Sequence, residues 1–159
     1  MAAPNTISID HVNPFLKATI ETYRTMMGVD IIPGKPTLNK GRGLTYDISG
    51  VIGISGDVKG SVAMSYPTDA AVATVSKFLF EEVKEVDDDV RDAIGELANI
   101  VAGYAKKFLN FNIYISLPTV ISGQNLVIKE PPDVFSFVVP FECKELGNFD
   151  VGVGLKAEK

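Results

Sequence analysis

The chain has 159 residues, enough to bury one real core and short for two domains. Its 15 Lys and Arg against 20 Asp and Glu give a net charge of −5, which argues against a nucleic-acid backbone or an anionic membrane as ligand. One Cys, one His and no Trp exclude an internal disulfide, a cysteine-rich zinc site and a multi-histidine metal centre. Chemistry must therefore come from carboxylates, amides, hydroxyls, Lys or Arg, or from a partner's cofactor.

Met1–Asp10 carries neither a basic run nor an apolar stretch of signal-peptide type. Val134–Phe141, the most apolar stretch late in the chain, is too short to span a bilayer. The expectation is a single cytoplasmic domain, 1–159, without membrane insertion.

In chain order, Asn13-Pro14 reads as an N-cap followed by proline at the first helical position. Phe15, Leu16, Ile20, Tyr23, Met26 and Met27 then recur at helical spacing until Gly28, predicting a helix over about 13–27. Ile31 to Tyr46, punctuated by Pro33-Gly34 and Pro36, suits an extended edge segment and a loop. Tyr46 to Ile54 reads as a strand, Gly56–Gly60 as a hairpin turn, and Ser61–Tyr66 as the returning strand. Gly50, Gly53 and Gly56 mimic a dinucleotide loop, but a strand follows them where a phosphate site would need a helix N-terminus.

Pro67-Thr68-Asp69 opens a helix to about Phe80, and Asp87-Asp88-Asp89 precedes a longer one over about 88–109. The three acids could be metal ligands, but carboxylates at a helix start also cap its free N–H groups and complement its dipole. Phe111–Ser116, Val120–Ile121 and Asn125–Lys129 read as extended segments. Val134–Phe141 with Phe149–Leu155 reads as a terminal hairpin around Gly147-Asn148, followed by a frayed tail from Lys156. Helix, strands, two helices and more strands together indicate an α+β fold, with helices packed on a largely antiparallel sheet.

At 3.6 residues per turn, Ile94, Leu97, Val101, Ala105 and Phe108 all fall within about 60° of Val90 and form a buried arc with it. Asp92, Glu96, Asn99 and Gly103 fall on the opposite side, with Glu96 and Asn99 adjacent on that strip. A solvated helix face is the plain account of such a strip. Two features weigh against it. Asn is a mediocre residue inside a helix, and Gly103 costs about 1 kcal/mol relative to Ala. The missing side chain at 103 admits either another protein or a tightly packed neighbouring helix.

Asp92-x-x-x-Glu96-x-x-Asn99, continuing as Ile100-Val101-Ala102-Gly103, resembles the signature helix of the CheC/CheX/FliY chemotaxis phosphatases. Ser116-Leu117-Pro118-Thr119-Val120-Ile121-Ser122-Gly123 resembles the proline-bearing segment that follows it, and Asn13-Pro14-Phe15-Leu16 the opening helix of CheX members. CheC members usually carry two Glu-x-x-Asn helices. Here the corresponding part of the first helix reads Glu21-Thr22-Tyr23-Arg24, without the Asn, which favours the single-site CheX type.

The resemblance implies a phosphatase acting on the aspartyl phosphate of a CheY-like response regulator. Asn99 would orient the attacking water and Glu96 would pair with a regulator lysine, while Asp92 and Gly103 would be partner contacts. The chain would need no cofactor of its own, the Mg²⁺ belonging to the regulator, and it would be a homodimer, joined by strand exchange or through edges of the C-terminal hairpin. The alternatives are a regulator-binding module of the same fold without catalysis, or a metal-dependent hydrolase built on Asp87, Asp88, Asp89 and Asp92. His11 and Cys143 read as a helix-entry residue and a small packed side chain.

Overall fold

The computed structural model describes residues 4–39, 44, 46–123, 127–128 and 130–157. Its elements in order are α1 (Ile9–Met27), β1 (Ile32–Pro33), β2 (Thr37–Leu38), β3 (Ile48–Gly56), β4 (Val58–Tyr66), α2 (Thr68–Leu79), α3 (Asp88–Phe108), β5 (Ile113–Ile115), β6 (Thr119–Ser122), β7 (Phe135–Glu142) and β8 (Phe149–Ala157). The α+β expectation holds, with three helices against one eight-stranded sheet among the described residues.

The first helix starts earlier than Asn13. Ser8 is its N-cap, accepting the Asp10 N–H, and the His11 ring Nδ1 accepts the Ser8 N–H at 2.9 Å. This is a capping box with His in place of the usual Glu or Gln. Pro14 therefore lies inside α1, and Gly28 ends the helix in the left-handed conformation (φ 67°). The tail expectation fails for Lys156 and Ala157, which are part of β8, and Lys156 Nζ lies 2.5 Å from Asp133 Oδ2; the rest of the tail lies outside the described residues. The strand expected over 125–129 falls mostly outside the described residues, although Ile128 bridges to Leu44.

All strand pairs are antiparallel and run in the order β1-β7-β8-β4-β3-β5, with β2 also on β7 and β6 also on β3. The β3–β4 turn is tighter than Gly56–Gly60, since pairing continues to Ile54↔Gly60. Along β3 and β4 the even positions Ile48, Ile52, Ile54, Val58, Val62, Met64 and Tyr66 are buried. Gly50, in the same phase, faces α3. On β8 it is Phe149, Val151, Val153 and Leu155 that join this core. Tyr23, Tyr66 and Phe141 each stack on Phe149, and the Tyr23 and Tyr66 hydroxyls meet at 2.9 Å. Burial pushes both phenols above their ordinary value, so both remain protonated across the physiological range.

The seat of α3 is set by an absence of side chain. A Cβ on Gly50 would lie 2.9 Å from the Ile94 carbonyl oxygen and 3.2 Å from the Ala98 Cβ. The helix backbone thus rests directly on the middle of β3. Of the predicted arc, Val90, Ile94, Leu97, Val101 and Ala105 are buried as expected. Phe108 is the exception at 40% exposure, because it sits in the last turn, where the Lys17 ammonium lies 4.5 Å from its ring centroid.

The terminal hairpin does not offer the free edges expected of it. Strand β8 is enclosed by β7 and β4, and the outer side of β7 carries β1 and β2. The backbone between those contacts is also engaged: Gly34 N–H donates to Pro140 O and Asn39 N–H to Ser136 O.

Candidate functional site

Asp87 caps α3, its Oδ1 accepting the Val90 N–H at 2.9 Å, and Asp88 pairs with Arg91 at 3.0 Å. Asp87 and Asp88 are thus engaged in helix capping and local pairing. Among the described residues, no three His, Cys, Asp or Glu side chains converge as metal ligands. A cleft lined by Asp47, Thr68, Arg91 and Ser122 has its charged groups engaged internally. Asp47 accepts from the backbone and hydroxyl of Thr68, and Arg91 Nε donates to Ser122 Oγ.

One turn further along α3 the opposite condition holds. Asp92 and Glu96 are exposed and Asn99 is partly exposed. Among the described residues none of the three has a polar partner within the chain. A Cβ at Gly103 would meet nothing within 4 Å. Of the two readings of that glycine, packing against a neighbouring helix is therefore excluded; the space beside Asn99 is open to a visitor. The structure brings Asp92, Glu96, Asn99 and Gly103 to one outward strip, as the helical spacing predicts.

The strip has two banks. On one side, Gly95 lets the β5–β6 connection close in: a Cβ there would sit 3.0 Å from Val120 Cγ2 and 3.3 Å from Pro118 Cβ. On the other, the end of α2 approaches, and Phe78, Leu79 and Glu81 line a groove shared with Asp89, Asp92, Ala93 and Glu96. Neither bank is legible from helical periodicity alone. Gly95, buried within an otherwise regular helix, was the available hint of close approach.

The first helix presents no second site. Arg24, where a second signature would place Asn, pairs with Glu21 at 3.2 Å and with Asp30 at 3.4 Å. His11 lies at the helix entry against Phe111, and Cys143 is a buried free thiol. Neither adjoins a nucleophile–base pair.

At this strip the chain presents an unpaired carboxamide and an unpaired carboxylate, about 5–6 Å apart at their Cβ atoms, to any surface that comes to it. The family model "Chemotaxis phosphatase CheX" matches residues 48–142, which include the whole of α3. The CheY-P phosphatase CheX of Thermotoga maritima is 31% identical over 150 residues, covering 92% of this chain and 96% of that one. This chain belongs to the CheX chemotaxis phosphatase family. The chemotaxis protein CheX from Desulfovibrio desulfuricans has the same fold, with a TM-score of 0.85 at 30% identity over 93% of this chain and all of that one. The CheX of the Borrelia burgdorferi CheX–CheY–BeF₃–Mg²⁺ complex matches with a TM-score of 0.79 at 30% identity, over 94% and 99% of the two chains. With that membership the chain is a phosphatase of the kind that acts on an aspartyl phosphate.

Proposed function

We propose that this protein accelerates hydrolysis of the aspartyl phosphate of a CheY-like response regulator, with the α3 strip entering the regulator's active site. The observation that carries this reading is the unpaired Asn99 carboxamide, facing open space and bordered by a glycine one turn away. An amide has no useful basicity, so Asn99 does not take a proton. Its Oδ1 accepts a hydrogen bond from water and holds that water in line with phosphorus. The water oxygen bonds to phosphorus, the bond from phosphorus to the aspartyl oxygen breaks, and the regulator recovers its carboxylate as inorganic phosphate leaves. Because an acyl phosphate is already labile, alignment is sufficient help, and a hundredfold gain requires only about 2.7 kcal/mol.

Glu96 pairs with a lysine of the regulator and sets the register that inserts Asn99, with Asp92 and Gly103 as further contacts. Mg²⁺ would be held by the regulator and would supply neutralising charge to the phosphoryl oxygens there. The protein acts in the cytoplasm, and no helix among the described residues is long and apolar enough to cross a membrane. It acts as a homodimer, for which the exposed Ile32, Leu38 and Phe135 on and beside β1, β2 and β7 offer apolar surface. Light scattering at micromolar concentration checks this, and a clean monomer mass refutes it.

Glu96→Lys is expected to lower turnover of a phosphorylated regulator at sub-saturating concentration at least tenfold, since like charges facing across an interface cost several kcal/mol. Glu96→Ala is expected to do less harm. Phosphate-release kinetics read both, and normal behaviour of the lysine variant would overturn the ion-pair assignment. The same assay separates catalysis from mere docking, because a binding module leaves the regulator's spontaneous rate unchanged.

A further inference from the structure

Among the described residues, the two most exposed large apolar side chains are Leu117 at 88% and Phe80 at 83%. They stand on opposite banks of the Glu96–Asn99 strip. Leu117 immediately precedes Pro118, which packs where Gly95 leaves room. Phe80 lies between Leu79 and Glu81, both of which line the groove that reaches Asp92 and Glu96.

Phe80 is also the one non-glycine residue with positive φ among the described residues (φ 56°, ψ 35°). It occupies the position after α2 that glycine usually takes, while the Glu81 N–H bonds back to Ser76 O in the manner of a Schellman turn. A bulky aromatic is a poor choice there, since its Cβ crowds the backbone in the left-handed region. Nothing in the fold repays this, because the ring is in water. Strain of this kind clusters at functional surfaces.

We propose that Phe80 and Leu117 are apolar anchors for the regulator, contacting it on either side of the inserted strip. The inference rests on the function proposed above and specifies how the partner is held. Acidic Glu81, Asp89, Asp92 and Glu96 surround the groove beside Phe80, so the occupant is a face with an apolar patch rimmed by basic side chains. The anchors supply affinity and leave the reacting atoms to Asn99. A few residues that become fully desolvated in an interface carry a disproportionate share of its binding energy.

The test uses Phe80→Gly and Leu117→Ser, each in the full chain. Phe80→Gly removes the ring and suits the left-handed backbone, so it retains the fold, which its melting temperature verifies. The probe is a CheY-like receiver domain from the same organism, loaded with Mg²⁺ and beryllofluoride for binding and phosphorylated for turnover. Each variant is expected to weaken the Kd about tenfold and raise KM similarly, with kcat at saturating regulator unchanged. Unchanged Kd for both variants, with a parent chain that binds, overturns the anchor assignment and leaves the proposed function standing. A parent chain that neither binds the receiver nor speeds its dephosphorylation overturns the functional reading, and this inference with it.

Discussion

Asn99→Ala is expected to reduce regulator dephosphorylation to the regulator's own spontaneous rate while leaving the protein as stable as before, or slightly more so. The carboxamide makes no hydrogen bond within the described chain, so its removal orphans no buried group. Alanine is also the better helix former, by roughly 0.5 kcal/mol. Catalytic loss with a stability gain is the combination expected of a residue kept for a visiting substrate and not for the fold. The loss should exceed a hundredfold, corresponding to about 2.7 kcal/mol of barrier. It should appear in kcat, since the proposed reading assigns binding of the regulator in its beryllofluoride form to Glu96 and the banks of the strip. Asn99→Gln is expected to fail nearly as badly, because an added methylene displaces the water from its line of attack. Full activity in the alanine variant would refute the water-orienting role. A thermal melt alongside the phosphate-release assay separates that outcome from misfolding.

Gly60→Ala is expected to produce the largest loss of stability of any single methyl addition to the central strands. The added Cβ would lie 1.8 Å from the Gly154 carbonyl oxygen and 2.7 Å from its carbon, on the neighbouring strand β8. No side-chain rotation relieves a clash with backbone. Strands β4 and β8 must separate, which disturbs a pairing that extends from Val58↔Ala157 to Ser65↔Asp150. Overpacking of flexible core side chains typically costs 1–3 kcal/mol, so about 3 kcal/mol or more is the expectation here. That is a large fraction of the total for a domain of this size. Denaturant midpoints against the parent chain measure it. Gly103→Ala is the matched control, because its Cβ meets open space and helix propensity alone should raise stability by up to about 1 kcal/mol. A parent-like midpoint for Gly60→Ala would show that the two strands can part without penalty.

Helix α3 was legible because it obeys one local rule over 21 residues: an apolar arc on one side and a polar strip on the other. That rule located Asp92, Glu96, Asn99 and Gly103 correctly and assigned Phe108 wrongly, since periodicity does not report where the sheet beneath a helix ends. The start of α1 was missed because its capping box uses His11, while Asn13-Pro14 supplied a stronger local signal at the wrong place. The unavailability of the terminal hairpin's edges depends on pairing between β7 and strands about 100 residues earlier in the chain. Nothing near Phe135 or Phe149 encodes that. The banks of the site were hidden for the same reason, since Phe80, Gly95 and Pro118 come from three elements that meet only after folding. Phe80 gave a second difficulty, because a phenylalanine at the end of a helix carries no sign that its backbone will turn left-handed.

The direct contact between Gly50 and the α3 backbone has a consequence for how the protein meets its partner. At Gly50 no side chain of the sheet stands between strand and helix, so at that point the helix has little room to sink when something presses on it. The backbone that carries Glu96 and Asn99 is placed by folding, and adaptation falls on their unpaired side chains and on the incoming molecule. At that point the helix works like a stencil, its outline cut by the fold before any visitor arrives.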